Sequence, residues 1–249
     1  EALAAYVALA ALNKTTELQQ AAALSQAAIA ARNLKDYAKA DALADRISLA
    51  AVAKTVRMKT LLAQRKPAEL LEQYGKEDFA KWPFPHVSPA AFARAQAHIQ
   101  TQNGKAAEAD LQSALALTSD KRLLSSILVN LGHNRETNLK DDARALAAYR
   151  QNFVGKERIG GSEEFRSVQQ AARILSRQGK HDDALKTLAR IDAAKQIGSW
   201  GATTYAIQGD LLTVVGRKQE ARAAYQNALA KPGLPKALRL TIEKKLQQP

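Results

Sequence analysis

From Tyr205 to Pro232 the small and apolar residues fall at helical spacing on both sides of a glycine. Tyr205, Gly209 and Leu212 precede Gly216; Ala221, Tyr225, Ala228 and Leu229 follow it, and Pro232 closes the stretch. Apolar residues three and four apart make one face of a helix. A lone Gly between two such runs marks a turn, and a Pro just beyond the second run stops it. The stretch is therefore a helix-turn-helix hairpin, and such a hairpin cannot bury its own apolar stripe without a neighbour.

Neighbours are present. Val168, Ala172, Leu175, Gly179, Ala184, Leu188 and Ile191 repeat the same offsets. A third copy has Ala93, Ala97, Gly104, Ala109 and Ala116, with Gln100 and Ser113 where larger apolar residues are expected. A fourth reads Leu24, Ala28, Ala31, Lys35, Ala40, Ala44 and Ile47, with Lys35 replacing the turn glycine. Turns at 35, 104, 179 and 216 leave room for two more units of about 34 residues each. One lies between Ala51 and Tyr74, where Pro67 opens the second helix at a position that tolerates a missing N–H. The other lies between Leu124 and Phe153, with Leu131 and Gly132 in its first helix, Leu139 at the turn and Ala143 in its second.

Composition agrees with helix: Ala and Leu dominate, aromatics are 5% of the chain, and prolines and most glycines sit between the periodic stretches. No cysteine occurs in the 249 residues, which excludes disulfides, thiolate metal sites and cysteine nucleophiles. The longest apolar run, Ala2 to Leu12, is too short to span a bilayer and reads as a packing helix.

The pattern in these copies resembles the tetratricopeptide repeat family: Trp or Leu, Leu-Gly and Tyr in a first helix, Ala, Phe or Tyr and Ala-Leu in a second that ends near Pro. The resemblance covers most of residues 17 to 232. It implies an all-α fold, a right-handed α-solenoid of about six helix-turn-helix repeats forming a single domain over residues 1–249. The segment Pro235 to Leu246, within a span of about 235–247, would be a C-terminal capping helix, apolar at Leu238, Leu240, Ile242 and Leu246. Small residues such as Ala172, Ala184, Gly209 and Ala221 would let paired helices approach closely.

Two irregular connectors interrupt the repeat, near 75–89 and 154–161. In the first, Trp82 to Pro89 is proline-rich, with Ser88 expected as N-cap, Pro89 as the opening of the next helix, and Trp82 and Phe84 as an aromatic plug. The second, Val154 to Gly161, is a loop whose Gly160-Gly161 pair has the composition of a hinge.

No motif gathers the acids, bases or nucleophiles that catalysis requires, so the chain is expected not to be an enzyme. The repeat glycines are single turn residues, so they do not form a phosphate-cradling loop. Asp141-Asp142, Glu163-Glu164 and Asp182-Asp183 stand at helix starts, where the helix dipole favours negative charge. His98 and His133 fall at comparable places on successive first helices. Two ligands do not make a metal site, and neither a metal nor a cofactor is expected.

On the helix from Glu164 to Arg177, Arg166, Gln169, Arg173 and Arg177 recur at intervals of three and four and share a face opposite Val168, Ala171, Ala172 and Leu175. In the family that the chain resembles, the exposed faces of first helices line a concave groove that takes peptides or partner helices. Carried onto this sequence, the groove set is Arg94, His98, Val129, His133, Arg166, Gln169, Arg173, Arg177 and Asp210. The Lys and Asn carboxylate clamp of some relatives is not reproduced.

Guanidinium groups suit carboxylates. The formal charge of +13 also favours acidic partners, with eight Lys/Arg against four Asp/Glu in residues 51 to 100 and eight against three in residues 201 to 249. The expectation is a scaffold or adaptor holding an acidic protein or peptide, with no small-molecule substrate. A nucleic-acid-binding helical repeat and a regulatory or anchoring segment of a longer protein are the alternatives. Few aromatics and no continuous basic run weigh against nucleic acid. The Ala-rich, Cys-free composition has a bacterial style, and the opening Glu1 in place of Met points to an exported, periplasmic chain.

Overall fold

The computed structural model describes residues 1–12, 15–154, 161–196 and 198–247. These form fourteen α-helices and one 3-10 turn, with no strand among the described residues. The chain is all-helical and built from helical hairpins. It divides into two compact units, Glu1–Lys140 and Asp141–Pro249.

The first unit holds α1 (Ala2–Ala10), α2 (Glu17–Asn33), α3 (Tyr37–Asp45), α4 (Ala50–Ala63), α5 (Pro67–Tyr74), the 3-10 turn Phe79–Lys81, α6 (Val87–Gln100), α7 (Gly104–Leu117) and α8 (Lys121–Thr137). The first helices α2, α4, α6 and α8 pack in sequence on one another. Each second helix, α3, α5 or α7, packs on its own first helix and on the next one. The residues that meet are mostly alanines: Ala27, Ala28, Ala31, Ala40 and Ala44 are fully buried around Leu24. Their small side chains bring the backbones close, and α1 covers the end of the row by packing on α2.

The second unit holds α9 (Asp142–Gln151), α10 (Ser162–Arg177), α11 (His181–Leu188), α12 (Ser199–Val214), α13 (Lys218–Ala230) and α14 (Lys236–Leu246). Here α10 packs on α12, with α9 against α10 and α11 against both. Val168, Ala171, Ala172 and Leu175 are buried in this core, as their spacing predicts. The capping helix α14 packs on α13 and buries Ile242 while Leu240 stays half exposed.

Five hairpins close in the same way. Lys35, Arg65, Gln102, Gly179 and Gly216 take positive φ between 60° and 77°. The N–H of the following residue reaches back to a carbonyl of the first helix: Asp36 to Ala31, Lys66 to Leu61, Asn103 to His98, Lys180 to Leu175 and Arg217 to Leu212, all at 2.8 or 2.9 Å. These bonds satisfy carbonyls that a helix end otherwise leaves unpaired. The stretch between α8 and α9 carries its own left-handed residue at Lys140, φ 55°, one place after the expected Leu139.

The third copy differs from its expected register. The left-handed turn residue is Gln102, and Gly104 is the first residue of α7. Glycine is required there for space: a Cβ would lie 2.9 Å from both Asn138 Cβ and Leu139 Cδ2. Moving the turn by two residues brings Ala91, Ala95, Ala107, Leu111 and Ala114 into the core and leaves Ala109 and Ala116 exposed.

The proline connector is also shorter than expected. Helix α6 begins at Val87 with His86 as N-cap, and the buried Ser88 lies inside it, its Oγ donating to the Ala114 carbonyl at 2.8 Å. Trp82 packs edge-on against Phe79 at 4.9 Å between centroids, whereas Phe84 is 64% exposed and plugs nothing. Of the second connector, residues 155–160, including Gly160, lie outside the described residues. Asp141 caps α9, and Glu163, Glu164, Asp182 and Asp183 occupy first turns, as the dipole argument expects.

Candidate partner-binding site

Helix α10 is buried on most of its circumference. Its inner face is apolar, and Gln169, although in step with the arginines, is only 6% exposed. Its amide donates to Thr204 Oγ1 at 3.0 Å and to the Trp200 carbonyl at 3.4 Å, which fastens α10 to α12. The open arc is consequently narrow and consists of Arg166, Arg173 and Arg177. At about 100° per residue these three lie within some 40° of one another around the axis.

Their states differ. Arg177 holds Asp142 of α9 in a two-point ion pair, with Nη2 to Oδ1 at 2.9 Å and Nε to Oδ2 at 3.3 Å. Arg166 and Arg173 are exposed and make no ion pair or hydrogen bond among the described residues. Two solvated guanidinium groups two turns apart on one helix can take carboxylates without first breaking an internal contact.

The candidates in the first unit are placed differently. Arg94 faces α7, where Nε and Nη2 bind the two oxygens of Asp110 at 2.8 and 2.7 Å. Its Nη1 donates to the Glu77 carbonyl at 2.7 Å, and the guanidinium lies over the Phe79 ring at 4.1 Å. This arginine fixes the end of α5 and the connector to α6. His98 lies beside the same carboxylate, with Nε2 3.9 Å from Asp110 and Nδ1 buried without a partner. Burial, more than the neighbouring charges, lowers its pKa and favours the neutral ring.

Val129 is 3% exposed and belongs to the interior of α8. His133, on the same helix, is exposed. The physical reason for the inward placement of Arg94 and His98 is that α6 is packed on nearly every side, with Ala90, Ala91, Ala93, Ala95 and Ala97 all fully buried.

Asp210 is exposed on α12 but already engaged. It accepts a 2.7 Å hydrogen bond from the Tyr225 hydroxyl and an ion pair from Lys245 of α14. Burial is the main cause that pushes Tyr225 up to about 12, and Asp210 adds to it. The residue that sequence reasoning missed is Asp110. A carboxylate inside an Ala-rich second helix was the available sign that a cation must face it.

Among the described residues no group of three His, Asp or Glu side chains is placed to hold a metal ion, and no helix is long and apolar enough to cross a membrane.

The stacked hairpins with a common turn define a helical-repeat protein. Residues 138–248, which span α9 to α14, match the family model of a tetratricopeptide repeat-like domain. No curated protein matches the sequence. Among solved structures, a tetratricopeptide repeat protein from Parabacteroides merdae is similar over 92% of this chain and 83% of its own, at 15% identity and a TM-score of 0.49.

Proposed function

We propose that the chain is a protein-interaction scaffold that holds an acidic segment of a partner protein against the open arc of α10. Helical repeats of this type are commonly interaction scaffolds, because stacked hairpins present extended surfaces. The observation that carries the acidic preference is the pair Arg166 and Arg173, exposed and unpaired on a helix whose other faces are packed. Arg177 adds positive potential while its Asp142 partner keeps it in place.

The test is capture of partner proteins from source cells by the wild-type chain and by the Arg166→Glu/Arg173→Glu variant. The reading requires loss of capture with helical content unchanged. Equal capture by both removes α10 from the account. Retention of single-stranded nucleic acid that falls steeply with salt supports the nucleic-acid reading instead. Against that reading, Phe84 is the one aromatic among the large exposed hydrophobic side chains described, too few for a stacking platform.

A further inference from the structure

Ion pairing accounts for many of the cations in the first unit, but two that share a cavity have no anion. A cavity of about 160 Å³ opens between α2, α4 and the start of α6. Arg32 of α2 and Lys59 of α4 both line it. Neither makes a hydrogen bond or ion pair among the described residues, and Arg32 Nη1 is buried without any acceptor.

This is an expensive arrangement. A buried charge is normally paired, and two facing cations repel. Burial, followed by the charge of Arg32, lowers the pKa of Lys59, and burial likewise lowers that of Arg32. Asp41 acts on Arg32 electrostatically, but no ion pair joins them.

The rest of the cavity shows what would fit. Its hydroxyls are already used, since Ser25 Oγ donates to Ala21 O and Thr55 Oγ1 to Ala51 O, each at 2.8 Å. The remaining wall is mainly apolar, with Ile29, Val52, Val56 and Pro89, and the His86 ring stands at the same rim. The donors therefore call for an acceptor-only anion, and the walls for an aliphatic stem beneath it. A glutamate side chain has both. Inorganic phosphate has the charge without the stem.

We infer that the Arg32–Lys59 cavity is a receptor for a glutamate side chain of a bound peptide, with Ile29 beside it covered by an apolar neighbour in the same peptide. This rests on the reading of the chain as a peptide-holding scaffold, but it uses the first unit and residues separate from α10. Arg32 supplies planar donors to the carboxylate and Lys59 a point charge, so that binding relieves a repulsion present in the free protein.

The experiment is an NMR titration of the full chain with the end-blocked tripeptide Ac-Leu-Glu-Leu-NH2, its Gln counterpart and inorganic phosphate. The Glu peptide is expected to shift amides of α2 and α4 and to bind at least tenfold more tightly than the Gln peptide. Lys59→Met is expected to remove at least tenfold of that affinity, as read from the α2 and α4 amides. Equal binding of the Glu and Gln peptides by the wild-type chain overturns the inference whether or not the variant folds. So does phosphate binding that depends on Lys59 when the Glu peptide does not bind. Loss of Glu-peptide binding in the α10 variant with none in Lys59→Met sinks the cavity while leaving the scaffold reading intact.

Discussion

Arg94 and Asp110 form a two-point ion pair between α6 and α7, with side chains only 14% and 10% exposed. At this depth the partners cannot be separated without leaving a charge in the interior. Arg94→Met is expected to cost about 3–5 kcal/mol, as when one partner of a buried pair is removed. Urea unfolding of the full chain checks it, and Arg94→Met/Asp110→Leu is expected to recover part of the loss. An unchanged midpoint for Arg94→Met would contradict the placement.

The non-glycine turn residues are a reserve of stability. Lys35, Arg65 and Gln102 hold φ of 60°, where a Cβ crowds the following carbonyl. Replacing each by Gly is expected to gain about 0.5–1 kcal/mol, while Gly179→Ala or Gly216→Ala loses a similar amount. Thermal unfolding of the single variants measures both directions.

Gly209 carries a different requirement. Its φ is helical, but a Cβ would stand 2.5 Å from Tyr225 Cε1. Gly209→Ala is expected to cost about 1–3 kcal/mol through overpacking, despite alanine's better helix propensity. Gly209→Ala/Tyr225→Leu is expected to restore most of it, and chemical denaturation of the two variants decides the point.

The pH dependence follows from two groups kept neutral in the fold. Tyr225 titrates at about 12 in the folded chain against 10.0 ordinarily. Between those values the unfolded chain has lost the proton and the folded chain has kept it, so stability falls as pH rises through this window. For His98 the folded pKa lies below 6.5, so the unfolded chain protonates first and stability falls as pH drops below 6.5. Tyr225→Phe is expected to flatten the alkaline slope, and His98→Gln to reduce the acid one, in denaturation midpoints measured across pH.

The helical hairpins were legible from spacing wherever a turn glycine kept the register, as at Gly179 and Gly216, and Lys35 was placed without one. The third copy was misread because Gly104 looks like a turn glycine but serves a close contact with Asn138 and Leu139. Left-handed φ at Gln102 has no side-chain signature. Arg94 and His98 were misplaced because α6 is buried on nearly every side, which the spacing of its alanines alone does not reveal. The α10 arginines could be read because they sit on one helix with a regular interval. Arg32 and Lys59 could not, since they come from different helices and meet only through packing of α2 on α4.

The most direct measurement is fluorescence anisotropy of a labelled, end-blocked Glu-rich peptide titrated with the wild-type chain and with Arg166→Glu/Arg173→Glu, at low and high salt. The account expects saturable binding that weakens with salt and falls at least tenfold in the variant, whose circular dichroism is unchanged. Equal affinity of both chains for the peptide would contradict it.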